Sequence, residues 1–197
     1  MSKPLAEATG TTSEKAHSAT IIASMSMSVD GFVAGPSDEV DQLFAWYGTL
    51  SEASGALLQD VGAKLRAVVT GRRTFDIAEG WGGQHPLGVP VFVVTHSVPD
   101  GWDDAPFTFV TQGVERAIAQ AGTLADDGIV GISGADVVQQ CLNGGLIDEI
   151  AIDLVPVLLG RGIRFFDHLQ GTPTQLEDPR VVEGNGVTHL SYRVKAP

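Results

Sequence analysis

The chain has 197 residues, enough for one substantial hydrophobic core, and we expect a single folded domain rather than two. It carries 24 Asp and Glu against 12 Lys and Arg. The resulting formal net charge of −12 argues against a nucleic-acid partner, because phosphate backbones are bound by clustered Lys and Arg. The sequence contains no run of about 18 apolar residues, so we expect no membrane span.

The first 19 residues differ in composition from the rest of the chain. They are rich in Ser, Thr, Ala and Glu and lack the apolar segment of a signal peptide, so we expect 1–19 to be a mobile leader and 20–197 the folded domain. The single cysteine, Cys141, excludes an internal disulfide and a cysteine metal cluster, which is typical of the reducing cytoplasm. Because Cys141 lies near Val138 and Leu142, we interpret it as a core residue rather than a nucleophile.

The first predicted element is a strand over residues 21–30. Apolar side chains alternate there with a series of small polar ones, Ser24, Ser26, Ser28 and Asp30. This polar face is either half exposed to solvent or part of a binding pocket, and in the second case Asp30 lies at the rim. The spacing of apolar residues then predicts helices within 40–47 and over 52–64.

A short apolar strand over 65–69 passes directly into a helix. The residues at this junction are Thr70, Gly71, Arg72, Arg73 and Thr74. Backbone N–H groups at the start of a helix favour an anion, and arginine side chains bind phosphate in bidentate fashion. Two adjacent arginines in so acidic a chain therefore indicate a phosphate site, with a solvated pair on a surface helix as the alternative. In the glycine-rich loop that follows, Trp81 either covers a ligand or fills the core.

Strands and helices alternate through most of the remaining chain. We predict strands over 89–95, 107–111, 128–132 and 147–154, helices over 114–121 and 137–142, a turn over 156–166, and two final strands over 175–181 and 187–194. This order predicts an α/β sandwich with a mostly parallel sheet and an antiparallel C-terminal edge. Asp148, Glu149 and Asp153 fall in the fourth of these strands and are interpreted as structural or interfacial.

Three predicted strands end in small polar residues, and ligands of α/β sheets bind beyond the carboxyl ends of strands. These ends are Thr70–Thr74, Thr95-His96-Ser97 and Ser133-Gly134-Ala135-Asp136. In that order they suit a phosphomonoester, a nucleoside and a pyrophosphate, which together outline NADPH. The sequence lacks the G-x-G-x-x-G fingerprint of Rossmann dehydrogenases, a histidine spacing for a metal and the G-x-S-x-G elbow of hydrolases. No metal is therefore predicted.

Six segments resemble the dihydrofolate-reductase-like superfamily, and in particular the reductase domain of the riboflavin-biosynthesis deaminase–reductase. They are Ser28–Gly31, Thr70–Phe75, Val93–His96, Gly131–Asp136, Gly145–Ile150 and Pro156–Gly162. The resemblance extends over residues 21–194 and implies a three-layer α/β/α fold, NADPH binding, a homodimer and hydride transfer to a small-molecule substrate. With one cysteine the chain cannot hold the zinc of the deaminase domain, so the resemblance is to a stand-alone reductase.

The same resemblance implies roles for the polar strand ends. Residues Arg72–Thr74 hold the 2′-phosphate and its ribose, Thr95–Ser97 lie along the adenosine, and Ser133–Asp136 line the pyrophosphate and nicotinamide. Asp30 is the candidate catalytic residue that orients the substrate, which also lies against Trp81.

Arg161 and Arg164 are the remaining arginine pair near a predicted pocket turn. They either bind a substrate phosphate or pin the glycine-rich turn to an acidic side chain.

These observations support three hypotheses. The first is an NADPH-dependent reductase of the 5-amino-6-(5-phosphoribosylamino)uracil type, which transfers a hydride to a carbonyl or imine carbon. The second is a reductase of dihydrofolate or another small molecule. The third is a nucleotide-binding module without turnover, which the lack of an unambiguous catalytic acid favours.

Overall fold

The computed structural model describes residues 18–102, 106–171 and 173–195. Its strands are β1 (Thr20–Ser28), β2 (Phe32–Ala34), β3 (Leu65–Gly71), β4 (Val91–Val94), β5 (Phe107–Val110), β6 (Ile129–Ser133), β7 (Glu149–Val155), β8 (Ile163–Arg164), β9 (Arg180–Gly184) and β10 (Val187–Arg193). Its α-helices are α1 (Asp41–Phe44), α2 (Glu52–Lys64), α3 (Arg72–Ile77), α4 (Val114–Ala125) and α5 (Ala135–Asn143). Two 3₁₀ helices complete the fold, η1 (Ala45–Thr49) and η2 (Glu79–Gly83).

Eight strands form one sheet in the order β5-β4-β3-β6-β1-β7-β10-β9. The first six run parallel, whereas β10 is antiparallel to β7 and β9 is antiparallel to β10. The predicted fold, a mostly parallel sheet with an antiparallel C-terminal edge, is therefore confirmed. β1 lies in the middle of this sheet, between β6 and β7.

Helices cover both faces of the sheet. Neighbouring residues of a parallel strand point to opposite faces, so both faces carry apolar side chains that need to be covered. In β3, Val69 packs into the large core cluster beneath α4 and α5, while Val68 packs with Phe75 of α3 on the other face. Leu43 and Trp46, from α1 and η1, form a third cluster on that second face. Burying one such aliphatic side chain contributes about 1.5–3 kcal/mol, so both faces stabilise the sheet.

The N-terminal boundary differs from the prediction. Residues 1–17 of the predicted leader lie outside the described residues. Ala19, which was also assigned to the leader, is buried in the core, and β1 begins at the next residue. In the part of the chain that the structure describes, no helix has the length and apolar character needed to cross a bilayer.

The predicted turn over 156–166 contains a short strand, β8, that pairs with β2 in a separate two-stranded sheet. Gly162, with a φ of +145°, allows this pairing, because a side chain at that position would collide with the Ala34 carbonyl. The predicted strand over 175–181 begins only at Arg180. Leu176, within the predicted range, makes an isolated bridge to Val194 instead.

Candidate active site

A cleft of about 1430 Å³ lies along the sheet on the side where α1, η1 and α3 pack. Its lining contains residues that follow β3, β4, β5 and β6 and residues within β1 and β7. We call the part formed after β3, β4 and β5 the arginine end, because Arg72 and Arg73 lie there. The part formed by Ser24, Ser26 and Asp153 is the carboxylate end, with Phe44, Tyr47 and Leu58 along its wall.

The parallel register brings the polar strand ends together. Thr70 of β3 pairs with Val93 of β4 and with Ser133 of β6, so the three strands finish at the same edge. The residues that follow them therefore converge although they lie far apart in sequence. All of the predicted cofactor-binding residues except Thr70 line the cleft, namely Gly71, Arg72, Arg73, Thr74, Thr95, His96, Ser97, Ser133, Gly134, Ala135 and Asp136.

Both arginines form ion pairs on the surface of the cleft. The Nε atom of Arg72 donates to the two carboxylate oxygens of Asp76 at 2.8 and 2.9 Å, and the Nε atom of Arg73 donates to Asp38 at 2.7 Å. Their side chains remain 37% and 58% exposed. Because exposed ion pairs contribute about 0–1 kcal/mol, an incoming phosphate can compete for these guanidinium groups.

Thr70 lies beneath the cleft rather than in it. Its side chain is buried, and its hydroxyl accepts a 3.0 Å hydrogen bond from Ser133 Oγ while donating to the Ser133 carbonyl at 3.4 Å. This placement does not match the predicted contact with the cofactor. Thr70 instead ties the end of β3 to the end of β6.

Gly134 forms the floor of the cleft between its two ends. Its φ of 91° and ψ of 126° are not accessible to other residues without strain, and an added Cβ would lie 2.6 Å from Thr74 Oγ1. Gly134 is also the N-cap of α5, and no side chain caps that helix start. A ligand oxygen can therefore approach the backbone closely here.

The sequence motifs did not indicate a fourth strand end, formed by Thr111, Gln112 and Gly113 after β5, which also lines the cleft. Gly113 has a φ of 94° and is the N-cap of α4, again without a side-chain cap. The sequence could have indicated this fourth strand end, because ligands of α/β sheets bind beyond strand ends and β5 was one of the predicted strands.

Asp30 does not line the cleft. Its Oδ1 accepts hydrogen bonds from Ser28 Oγ at 2.7 Å and from the Leu159 N–H at 3.1 Å, and its Oδ2 accepts from the Gly160 N–H at 2.7 Å. The Ser28 hydroxyl, followed by the backbone N–H groups, holds the pKa of this carboxyl below its usual value. This placement favours a structural role, in which Asp30 fixes the turn before β8, over the predicted catalytic one.

Arg161 and Arg164 also lie outside the cleft lining. The Arg164 guanidinium stacks over the Phe32 ring with 4.6 Å to the ring centroid, and Arg161 is exposed. The permanently charged cations among the described lining residues are Arg72 and Arg73. The structure thus separates the second arginine pair from the site to which the sequence assigned it.

Trp81 lies between the core and the cleft. It lines the cleft, and its ring also meets Phe75 of the core edge-on, with 6.1 Å between the centroids. His85 lies against it at 5.1 Å and also lines the cleft, and burial lowers the pKa of His85.

Asp153 is the residue of the carboxylate end that the sequence motifs did not indicate as functional. It projects from β7, and its Oδ1 lies 2.7 Å from His189 Nδ1 of β10. His189 Nε2 in turn lies 2.9 Å from Ser54 Oγ of α2. Burial raises the pKa of Asp153, and the contact with His189 opposes that shift without cancelling it. The available signal was a charged residue within the predicted strand over 147–154.

Aromatic residues of η1 lie near the Asp153–His189 pair. The indole N–H of Trp46 donates to Ser26 Oγ at 3.2 Å, and the Trp46 ring meets His189 edge-on at 5.1 Å. Burial, and secondarily the nearby charge of Asp153, raise the pKa of Tyr47 to about 12. The polar face of β1 contributes Ser24 and the largely buried Ser26 to the lining of the cleft, while Ser28 does not line it.

Known proteins resemble this chain in sequence and in fold. The chain matches the model of the RibD C-terminal domain family over residues 19–189. It is 26% identical over 145 residues to the uncharacterised protein YwjB of Bacillus subtilis (strain 168), a match that covers 74% of this chain and 81% of YwjB. The crystal structure of a putative riboflavin biosynthesis protein from Shewanella sp. PV-4 is 26% identical, with a TM-score of 0.67, and covers 90% of this chain and 99% of that protein.

Two more distant structures show the same fold. The diaminohydroxyphosphoribosylaminopyrimidine deaminase/5-amino-6-(5-phosphoribosylamino)uracil reductase of Thermotoga maritima is 12% identical, with a TM-score of 0.63, over 90% of this chain and 57% of its own. Dihydrofolate reductase of Enterococcus faecalis, solved in complex with NADP(H) and RAB-propyl, is 19% identical, with a TM-score of 0.60, over 91% of this chain and 99% of its own. The predicted superfamily is confirmed.

Proposed function

The chain belongs to the RibD C-terminal domain family, and we propose that it is an NADPH-dependent reductase of the riboflavin-biosynthesis type. The observation that carries this proposal is the convergence of the polar strand ends, with both arginines, in one cleft. At about 1430 Å³ the cleft exceeds the roughly 300–1,000 Å³ of an ordinary small-molecule site, so a dinucleotide and a second molecule both have room.

The residues present fit NADPH from one end of the cleft to its middle. In this proposal Arg72, Arg73 and Thr74 hold the 2′-phosphate, and Thr95–Ser97 lie along the adenosine. The start of α5 at Gly134, which no side chain caps, accommodates the pyrophosphate. When bound, the nicotinamide supplies the hydride.

Titration with NADPH and NADH tests the cofactor assignment. Because a hydrogen bond between charged groups contributes about 1.5–3 kcal/mol, we expect Arg72→Ala combined with Arg73→Ala to weaken NADPH binding about 10- to 100-fold and leave NADH binding little changed. Arg116→Ala, an exposed arginine of α4 outside the cleft, is the matched control. Nicotinamide fluorescence or calorimetry reports both affinities. Failure of both nucleotides to bind would remove the reductase proposal.

Two classes of substrate are in question. The family membership suggests a phosphoribosylamino-pyrimidine as substrate. To bind the phosphate of such a substrate, the protein needs a cationic side chain in the cleft. Dihydrofolate or another substrate without a phosphate is favoured by one observation, the position of Arg161 and Arg164 outside the cleft lining. Oxidation of NADPH with each compound in turn distinguishes the two classes, and binding of NADPH without oxidation by any substrate would favour a non-catalytic module.

We further propose the homodimer and the cytoplasmic location that the sequence predicts. The exposed edge strand β9, which carries Val181 with 52% of its surface accessible, is a position that a second copy could cover. Light scattering of the purified chain measures the oligomeric state directly.

A further inference from the structure

We infer that Asp153 is a catalytic residue that donates the proton to the substrate during reduction, and that His189 and Ser54 are its positioning residues. This inference rests on the proposed reductase function. It assigns to the carboxylate end of the cleft the general acid that no sequence motif supplied.

A continuous chain of hydrogen bonds leads to the carboxylate from α2. Ser51 Oγ donates to Ser54 Oγ at 3.0 Å, so the hydroxyl hydrogen of Ser54 is directed to His189 Nε2, 2.9 Å away. Nε2 is then the acceptor nitrogen of the ring, and Nδ1 carries the hydrogen. Nδ1–H consequently donates to Asp153 Oδ1 over 2.7 Å.

Because Oδ1 accepts the hydrogen bond from His189, the exchangeable proton of Asp153 is on Oδ2. A neutral carboxyl keeps one oxygen as the acceptor and protonates the other. The Asp153 side chain is 18% exposed and lines the cleft, whereas the His189 side chain is 3% exposed. The proton is therefore accessible from the cleft. His189 and Ser54 behind it, which we call the relay, are not accessible.

The packing around the relay fixes its geometry. Ser54 is fully buried, and a side chain at Gly184 of β9 would collide with Ser54 Oγ, so that glycine lets β9 pass over the relay. The Trp46 and His189 rings also pack edge to face, with 5.1 Å between their centroids. Such enclosure holds an acid in one orientation, which proton transfer to a bound substrate requires.

The other acidic residues of the described lining are less suited to this task. Asp38 is ion-paired with Arg73, and Asp136 Oδ2 accepts a 2.6 Å hydrogen bond from Gln140 Nε2. Asp38 lies at the arginine end of the cleft, and Asp136 follows β6, whose end converges with that of β3. Asp153 lies apart from them on β7, in register beside Ser26 of β1.

The electrostatic surroundings also favour an acid at this position. Burial keeps Asp153 protonated above the ordinary pH range of a carboxyl. Among the described residues, the titratable groups that interact with it are His189 of β10 and Tyr47 of η1, whose own pKa of about 12 keeps it neutral. The neighbouring groups from β1 and α2 are the uncharged hydroxyls of Ser26 and Ser54.

The proposed step balances in atoms and charge. The substrate carbon of a C=N or C=O bond accepts the hydride, and the adjacent nitrogen or oxygen takes the proton from Asp153 Oδ2. The Oδ2–H bond breaks as the new N–H or O–H bond forms, and the resulting carboxylate keeps the hydrogen bond from His189 Nδ1–H. A proton from water in the cleft then restores the acid.

The Asp153→Asn variant tests this step with little change in shape. An Asn carbonyl can accept the bond from His189, and its NH₂ replaces Oδ2–H as a donor that cannot release a proton. We expect kcat to fall about 100- to 10,000-fold and NADPH affinity to stay within about twofold, because general acid catalysis contributes about that factor. Asp60→Asn, an exposed carboxylate on α2, is the matched control.

The pH profile separates catalysis from a structural effect. In the wild type, kcat should fall as pH rises through the raised pKa of Asp153, and this limb should be absent from the Asn variant. His189→Gln should shift the limb while retaining turnover, because it alters the partner and not the acid. A limb that persists in Asp153→Asn, or a kcat within about threefold of wild type, overturns the inference.

A measurement without turnover covers the case in which no tested substrate is reduced. Carbon-13 NMR of Asp-labelled protein saturated with NADPH should show one carboxyl that titrates above the ordinary Asp range and is missing in Asp153→Asn. Absence of that signal overturns the inference even when NADPH binds. If NADPH itself does not bind to the wild type, the proposed function has failed, and the same carboxyl signal in the free protein still decides the protonation of Asp153.

Discussion

The two ends of the cleft are built in different ways. The arginine end carries exposed charges at the start of α3, where Arg72 and Arg73 make ion pairs that solvent screens. The carboxylate end consists of one acid on a central strand, backed by a buried histidine and a buried serine. The first end is suited to recognising a charged group that arrives from water, and the second to holding one proton in a fixed place.

The two ends also differ in how their contacts are connected. In the arginine end, Arg72 pairs with Asp76 four positions away and Arg73 pairs with Asp38, 35 positions away, as two separate ion pairs. In the carboxylate end, Asp153, His189 and Ser54 of β7, β10 and α2 form one chain of hydrogen bonds. A change at one arginine should therefore affect one ion pair, whereas a change in the relay affects three elements at once.

The largest expected effect on stability is that of Gly134→Ala, at the floor between the two ends. Its φ of 91° and the nearness of Thr74 Oγ1 leave no place for a Cβ. We expect a loss of about 1–3 kcal/mol in unfolding free energy, together with weaker NADPH binding, because the backbone must move. Urea denaturation and nucleotide titration measure the two effects.

Gly145→Ala, at the other end of α5, controls for backbone strain. Gly145 also has a positive φ, of 63°, but no atom lies within 4 Å of an added Cβ. The unfolding free energy of the Gly145→Ala variant should fall by about 1–2 kcal/mol, the cost of the left-handed conformation for a residue with a side chain, and its NADPH affinity should be unchanged. Equal loss of NADPH affinity in both variants would contradict the role given to the floor at Gly134.

The fold and the arginine end could be predicted because their signals are local. The alternation of strands and helices determines the layers, and the candidate phosphate-binding residues Gly71, Arg72 and Arg73 follow their strand directly in sequence. Thr70 is the one predicted cofactor-binding residue that does not line the cleft, because its side chain is buried and bonds to Ser133. The confirmed predictions are those of the family and the fold.

The carboxylate end and the position of Asp30 could not be predicted because both depend on pairings between distant segments. Asp153 reaches the cleft only through the register of β7 with β1, and it meets His189 only through the pairing of β7 with β10. Asp30 lies at the end of β1 as expected. The turn before β8 folds back on it, however, so that the amides of Leu159 and Gly160 occupy its carboxylate.

The next prediction concerns the pH dependence of stability at the carboxylate end. Burial raises the pKa of Asp153 in the folded state above the unfolded value, so the folded chain binds the proton more tightly. This contribution to stability is fully present below the unfolded pKa and is lost as pH rises through the folded one, with a slope of at most about 1.4 kcal/mol per pH unit. Urea denaturation of wild type and Asp153→Asn across that range should show the slope only in the wild type. A wild-type stability that rises with pH through this range, by an amount that Asp153→Asn removes, would contradict the assignment.

The smallest effect is expected at Asp30, and its sign is opposite. Its hydrogen bonds to Ser28, Gly160 and Leu159 lower its folded-state pKa, so its contribution to stability is present above the unfolded value of about 3.8 and is lost as pH falls through the folded value. Because this carboxyl is exposed, solvent screens the effect. Asp30→Asn should therefore reduce stability modestly at neutral pH and bring the two proteins together in acid, as followed by urea denaturation. If Asp30 were instead the catalytic acid, its substitution would abolish the alkaline limb of the rate profile that we assign to Asp153, so measuring that limb in both Asn variants decides between the two carboxylates.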